Sequence, residues 1–264
     1  MTASNQPPVV MVIAGNDPTG GAGLCADIQT LAEYGCHALP VISALTVQDT
    51  MSVKRFQGVD SVLFQEQMLA VFEDVKPDAV KTGMLANSDI VEVIVKTLEK
   101  HRDVPIIVDP VIRSNMDNSL SERSLISSLR EHLMPLATLN TPNIPEVRML
   151  AGKDAEIDEC VRTLGKIDCL VTGTHDDNEK VINRFYRNGD FQRQWQWPRL
   201  QHEYHGSGCT LASAIAAGIA LGNDLETSID HAQDYVMQSL RAAFKPGSGQ
   251  HIPNRCRKIL QHGE

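Results

Sequence analysis

The sequence predicts one α/β domain: a doubly wound, mostly parallel sheet with helices on both faces. Three observations carry this. Short, continuous apolar runs alternate with helical patterns along the whole chain, as in sheets whose strands are buried on both faces. No internal repeat and no polar low-complexity linker divides the 264 residues. The polar residues capable of chemistry follow the apolar runs again and again, at strand ends where such sheets bind ligands.

Taken in order, residues 1–8 are a short polar lead without the basic-then-apolar pattern of a signal peptide, and the domain is expected over 9–245. Val9–Ala14 is a buried strand, followed by a glycine-rich loop over 15–23 and a helix from Leu24 to about Tyr34. Leu39–Leu45 is the second strand. Ser52–Val59 alternates with period two and reads as an edge or flap strand. Ser61 is the expected N-cap of a helix to about Asp74. Asp78–Thr82 is a strand, and Asn87 or Ser88 caps a helix with Ile90, Val91, Ile94, Val95 and Leu98 on its apolar face. Pro105–Val108 is a strand ending at Asp109-Pro110, Ser121–Leu133 is helical, and Thr138–Leu139 is a short strand before a helix to Leu150. Between Leu150 and Ile167 there is room only for an abbreviated helix. Cys169–Val171 is the next strand. Val181–Arg187 and Phe191–Trp195 form a hairpin, since Asn188-Gly189 suits a type I′ turn. Two helices follow, one after Cys209 to about Leu221 and one over Leu225–Phe244; the tail over 246–264 is expected to be irregular.

Composition removes several function classes. With 42% apolar and 22% charged residues the chain is an ordinary globular protein, and its net charge of −9 argues against a nucleic-acid or anionic-membrane surface. No segment approaches the length of a membrane span. The six cysteines (25, 36, 160, 169, 209, 256) lack the paired spacing of a disulfide framework or zinc site, which fits a reducing, cytoplasmic setting.

The stretch His205-Gly206-Ser207-Gly208-Cys209-Thr210 is the expected centre of the chemistry. Its glycines permit a tight turn, and the amides of the helix that starts there have no intrahelical acceptor, which makes an anion site. Cys209 sits at its mouth, where the helix field is expected to favour the thiolate. As a nucleophile it would need a partner such as His205; as a buried hydrophobe it would be inert; as a general base it would accept a hydroxyl proton, the reading favoured here. Asn143 and Glu146, one turn apart at a helix start, can hold Mg²⁺ through oxygen and water, and Asp109 can add negative charge to that metal. Each also has a plain alternative: a helix cap, a first-turn acid and a turn residue. The loop from Gly15 through Asn16 and Asp17 to Gly23 is neither a dinucleotide-binding fingerprint nor a P-loop, and can cover a non-phosphate substrate.

These strings together resemble the hydroxymethylpyrimidine/phosphomethylpyrimidine kinases of the ribokinase-like superfamily. The matching pieces are residues 13–23 with Ala26-Asp27, 41–48, 80–85, 108–111, 141–146 and 205–211, in family order over nearly the whole chain. The resemblance implies phosphorylation, dependent on ATP and Mg²⁺, of 4-amino-5-hydroxymethyl-2-methylpyrimidine and then of its monophosphate, by a homodimer. It implies that Gln48 bonds the aminopyrimidine edge, since an amide both donates and accepts, and that Met84 packs on the ring. Gly15, Asp17 and Asp27 would shape the substrate end, and Gly206, Ser207 and Gly208 would form the anion hole with Cys209 as base. Asn143, Glu146, Thr172 and Lys81 would serve the nucleotide, with Asp109 and Glu146 at the metal. Many family members carry a lysine where Thr172 stands and a Lys-Ser-Gly string near Ser114-Asn115-Met116; Lys81 and Arg113 are expected to replace that charge. Other readings are a pyridoxal kinase of the same fold, a non-catalytic pyrimidine-binding regulator, and a thiol hydrolase using Cys209 and His205. If Cys209 is the base, an acid limb in kcat/KM should belong to it.

Overall fold

The computed structural model describes residues 6–112, 120–175 and 179–256, with only the backbone described at 120 and 121. Strands β1 (Val9–Asn16), β2 (His37–Gln48), β3 (Val53–Gly58), β4 (Ala79–Thr82), β5 (Ile106–Val108), β6 (Leu139–Asn140), β7 (Cys169–Val171), β8 (Lys180–Arg187) and β9 (Asp190–Pro198) form one sheet. Its order is β3-β2-β1-β4-β5-β6-β7-β8-β9. β2 to β7 through β1 pair in parallel; β3 at one edge and the β8–β9 hairpin at the other run antiparallel. The expected doubly wound α/β fold is therefore present. The chain leaves β1 toward β2 and returns to the other side of β1 as β4, so a crevice opens above the ends of β1, β2 and β4.

Both faces of the central strands are covered. Along β1, Met11 and Ile13 pack beneath α2 (Ser61–Asp74), α3 (Ser88–Leu98) and α4 (Leu120–Ser128). Val10, Val12 and Ala14 pack beneath α1 (Gly23–Glu33), α7 (Ser207–Ala220) and α8 (Leu225–Arg241). α7 lies close to the sheet because its buried face is mostly alanine, at 212, 214, 216 and 217. Two shorter helices, α5 (Ile144–Ala151) and α6 (Ile157–Thr163), pack with Cys169 and Val171 of β7, and α6 is the abbreviated helix expected between Leu150 and Ile167.

The differences from expectation have local causes. Asp60, not Ser61, caps α2: its carboxylate accepts from the amides of Val62 (3.0 Å) and Leu63 (3.2 Å). Asn87 is the cap of α3. The helix read over Ser121–Leu133 ends at Ser128 and widens into a π turn over Leu129–Leu133, because Pro135 follows and its ring cannot sit above a regular turn. Asn188 (φ 52°) and Gly189 (φ 85°) make the left-handed pair that a type I′ hairpin requires.

Among the described residues, 246–256 form no helix, yet they are built into the domain. The amides of Gly249 and Gln250 donate to Thr50 in the β2–β3 loop, His251 oxygen accepts from His205 N (2.9 Å), and Arg255 is buried. A domain boundary at 245 thus stops short of residues that hold the site.

Candidate active site

The crevice gathers most of the expected residues into three adjoining groups. At the ends of β1, β2 and β4 stand Gly15, Asp17, Gln48 and Met84. Met84 lies so close to Gly15 that a Cβ there would meet its sulfur at 3.3 Å. Asp17 Oδ2 is 2.9 Å from His205 Nε2, which in turn is 3.3 Å from Gln48 Nε2. Burial works to raise the Asp17 pKa, but hydrogen bonds from His205 and from the amide and hydroxyl of Thr19 outweigh it and hold the carboxyl down at about 2. His205 is thus committed to Asp17 and Gln48 rather than to Cys209, which removes the dyad that a thiol hydrolase would need.

The second group lies beneath the first turn of α7. Gly206 adopts a left-handed conformation (φ 84°), and a Cβ on it would fall 2.0 Å from Gly21 O, so only glycine lets the α7 loop touch the glycine-rich loop. From Ser207 onward the amides enter the first helical turn without intrahelical acceptors. Cys209 follows, surrounded by Lys81, Asp109 and Asp27. Here one expectation is reversed. Burial pushes the Cys209 thiol up to about 11 against the pull of Lys81 and of the Gly23 amide, with Asp109 and Asp27 adding to the rise. The helix field does not leave a thiolate at neutral pH, because two carboxylates and burial oppose it.

Lys81 and Asp27 also differ from expectation. Both are fully buried: Lys81 Nζ donates to Asp27 Oδ1 (2.8 Å) and stands 4.0 Å from Asp109 Oδ2, while Ser213 donates to the same Asp27 oxygen (2.7 Å). Burial opposes the lysine's charge, but Asp27, Cys209 and Asp109 keep it protonated. Lys81 therefore balances charge inside the domain and is not presented to a phosphate, and Asp27 anchors it rather than shaping a substrate surface. Arg113 and Ser114-Asn115-Met116 lie outside the described residues.

The third group lines a cavity of about 540 Å³ between α7, α8 and the β8–β9 hairpin; Asn143, Thr172, Ser207 and Gly208 form its inner end. Asn143 and Thr172 are bridged across the ends of β6 and β7. Asn143 does cap α5: its side chain accepts from Glu146 N (2.9 Å), and Glu146 Oε2 accepts from Asn143 N (2.8 Å), a reciprocal capping box. The plain alternative for Asn143 is thus realised, without excluding a second role.

The sequence profile of the phosphomethylpyrimidine kinase family matches residues 17–254. The chain belongs to that family. Among its relatives, the hydroxymethylpyrimidine/phosphomethylpyrimidine kinase of Synechococcus elongatus is 36% identical over 262 residues, covering 92% of this chain and 95% of that protein. A thiamine biosynthesis bifunctional protein of Geobacter sulfurreducens is also 36% identical over 91% of this chain, which spans 50% of that longer protein. The solved phosphomethylpyrimidine kinase of Clostridium difficile superposes with a TM-score of 0.74 at 32% identity, covering 88% of this chain and 99% of that one. The pyridoxal kinase of Staphylococcus aureus in complex with AMP-PCP and pyridoxal gives a TM-score of 0.82 at 25% identity, covering 95% of this chain and 94% of that one.

In this kinase, Asp109 and Glu146 are the residues that fit Mg²⁺. Asp109 Oδ2 is buried without a hydrogen-bond partner, 4.0 Å from Lys81 Nζ, and burial raises that carboxyl to about 6 against the pull of the lysine. Glu146 is raised to about 8, first by burial and then by Asp109. Two buried carboxyls that resist ionisation, one with an orphaned oxygen, are a hard-oxygen pair that a divalent cation would relieve, with phosphate and water completing its shell. Among the described residues no group of three or more His, Cys, Asp or Glu forms a self-sufficient metal cluster.

This arrangement has a measurable consequence in the kinase free of metal and nucleotide. Folded Glu146 holds its proton more tightly than the unfolded chain does. Its contribution to stability is therefore present at low pH and is lost as pH rises from the ordinary glutamate range through about 8. Glu146→Gln keeps the capping box with its one amide oxygen but loses the acceptor that Ile112 N uses (3.3 Å), a cost that does not depend on pH. In EDTA the melting temperature of the variant relative to the native protein should therefore rise by about 5 °C between pH 4 and pH 8. A difference that is the same at both pH values would show that Glu146 is not held neutral.

Sequence reasoning missed two residues here. His205 was visible only as a possible thiol partner. Arg255, in a tail without periodicity, donates from Nε to Thr210 Oγ1 (2.8 Å) and from its terminal nitrogens to Gly21 O (2.5 Å), Gly20 O (3.4 Å) and Gly206 O (3.4 Å). It pins the two glycine loops together, and no local signal in the sequence announces it.

Proposed function

We propose that the kinase transfers the terminal phosphoryl group of ATP to the hydroxymethyl group of 4-amino-5-hydroxymethyl-2-methylpyrimidine, and then phosphorylates the monophosphate to the diphosphate used in thiamine synthesis. The observation that carries this reading is the placement of two groups on either side of one loop. The Gln48–His205–Asp17 chain with Met84 stands toward the sheet crevice, and the Asn143–Thr172 end of the cavity stands toward α8; Gly206–Cys209 runs beside both. Phosphoryl transfer needs such a place, with a ring on one side, a phosphate chain on the other and amide donors between them. The AMP-PCP bound by the similarly folded pyridoxal kinase supports ATP as the donor.

Each residue's part follows from its surroundings. Asp17, ionised at neutral pH, accepts a hydrogen bond from His205 Nε2–H, so that nitrogen has no lone pair to offer Gln48. Gln48 satisfies its contact with His205 by turning its amide oxygen there, which frees the NH₂ to donate to a ring nitrogen while the oxygen's second lone pair accepts from the amino group. Met84 and Gly15 give the flat ring a sulfur face and a side-chain-free floor. The amides of Ser207, Gly208 and Cys209 take the charge spreading on the phosphoryl oxygens. Cys209 accepts the hydroxyl proton in its thiolate form, the minority form below about pH 11, which Lys81 favours and burial, Asp109 and Asp27 oppose; the transfer leaves a neutral thiol. Mg²⁺, when bound near Asp109 and Glu146, would neutralise phosphate charge.

The test is ADP release by the purified kinase with Mg²⁺-ATP and, separately, the pyrimidine alcohol, its monophosphate and pyridoxal. Turnover on both pyrimidines and at least tenfold slower turnover on pyridoxal is expected. Preference for pyridoxal would favour the second reading, for which the S. aureus fold likeness is the specific observation. Pyrimidine binding without turnover on any of the three would leave the protein a binding regulator.

A further inference from the structure

The cavity beside α7 contains a hydrogen-bond donor with nothing to bond. Gln233, on α8, is 3% exposed and lines the cavity, and its Nε2 is buried without a partner. The orientation of its amide is fixed by neighbours that can act in one direction only. The Gly173 amide can only donate, so Asn183 presents Oδ1 to it (3.0 Å) and turns Nδ2 toward Gln233 Oε1 (2.8 Å). The Trp197 indole can also only donate, and it donates to the same Gln233 oxygen (3.0 Å). Flipping Gln233 would set N–H against N–H twice. The relay therefore runs one way, from the β7 loop through β8 to α8, and ends on an NH₂ group buried in the wall of the cavity without an acceptor.

The relay rests on a backbone approach that only glycine permits. A Cβ at Gly173 would lie 2.2 Å from Ile182 O, so the β7 loop could not come close enough to β8 for its amide to reach Asn183. A buried amide NH₂ without an acceptor costs free energy, so a site that holds one is complementary to a ligand that supplies an acceptor. The far end of the cavity, away from Ser207 and Gly208, is walled by Val181, Trp197, Val236, Met237 and Leu240. On α8, residues 233, 236, 237 and 240 share one face at helical spacing. Apolar walls beside a buried amide donor suit a heteroaromatic base that carries ring acceptors.

We infer that Gln233 is a specificity-determining residue whose Nε2 donates to a ring nitrogen of the adenine base, the ribose and phosphates extending from there to the α7 amides. This rests on the reading of the cavity as the ATP site and adds to it which residue reads the base and through which chemistry.

The experiment is calorimetric titration, with Mg²⁺ and without acceptor substrate, of ATP and of three ATP analogues that each replace one ring nitrogen (N1, N3 or N7) by C–H. For the native kinase one analogue should bind about 10-fold more weakly than ATP and the other two like ATP, the size expected when a buried donor loses its acceptor. Gln233→Met, similar in length and without a donor, should bind ATP and that analogue equally; Gln233→Leu serves if methionine is not accommodated. Three analogues that all bind the native kinase like ATP overturn the assignment. So does a discrimination that persists in the variants, which would place the reading group elsewhere. If ATP itself does not bind, the nucleotide-site reading falls together with the assignment, whereas a flat analogue series with ATP bound removes only the role of Gln233.

Discussion

Cys209→Ala should lower kcat on the pyrimidine alcohol by about 100-fold or more, the usual worth of a positioned base. The native enzyme's log kcat/KM should climb with pH through the neutral range toward about 11, since burial holds the thiol in its protonated form below that value. An acid limb that levels off below pH 7, as a thiolate stabilised by the helix end would give, is not expected, because burial, aided by Asp109 and Asp27, outweighs the help that the sulfur receives from Lys81 and from the Gly23 amide. The climb should disappear in Cys209→Ala, leaving a shallow profile. A native profile that is level between pH 7 and pH 9, or an alanine variant with the native slope, would assign the proton to another group. Cys209→Ser should retain the protein's melting temperature while losing rate, which separates chemistry from packing.

Arg255→Met should lower the melting temperature by about 6–10 °C, corresponding to roughly 3 kcal/mol for a domain of this size. The guanidinium is buried and is held by the carbonyls of Gly20, Gly21 and Gly206 and by the hydroxyl of Thr210. Methionine fills similar volume but leaves the Gly20 and Gly21 carbonyls without the donor that held them, while Gly206 O keeps its bonds from Thr210; unmet buried acceptors cost more than a bond adds. The kinetic effect should be uneven. Gly20 and Gly21 belong to the loop that carries Asp17, whereas the cavity assigned to ATP is lined by α7, α8 and the hairpin. KM for the pyrimidine should therefore rise about 10-fold while KM for ATP changes little. Added guanidinium ion, at concentrations too low to denature, should restore part of the rate. A folded variant with native KM values, or equal loss for both substrates without rescue, would reduce Arg255 to a stabilising residue.

Much of the site was legible because it is local. The glycine-rich loop after β1, Gln48 after β2, Met84 after β4 and the Gly206–Cys209 turn each sit at the end of an apolar run, and in a parallel sheet the end of a run is a place at one rim. The sheet's parallel core and two antiparallel edges follow from the same pattern, and so does the hairpin, through the left-handed preference of Asn188-Gly189. Resemblance to a kinase family was readable for the same reason, since its motifs are contiguous strings.

What the tertiary structure alone decided are the properties that depend on neighbours distant in sequence. Lys81 reads on the page as a cation available to phosphate, yet the fold sets it against Asp27, 54 residues away, and seals both from water. The protonation of Cys209 was expected from one term, the helix end; burial and two carboxylates from other strands and helices act in the opposite direction. His205 reaches Asp17 across 188 residues, and Arg255 reaches Gly21 across 234. The succession of strands and helices, and the strand ends at which the polar residues fall, are written in local periodicity, because each element forms from its own pattern of apolar residues. The charge state and the hydrogen-bond partner of a side chain are sums over whatever the fold brings within a few ångströms, and no window of sequence contains that sum.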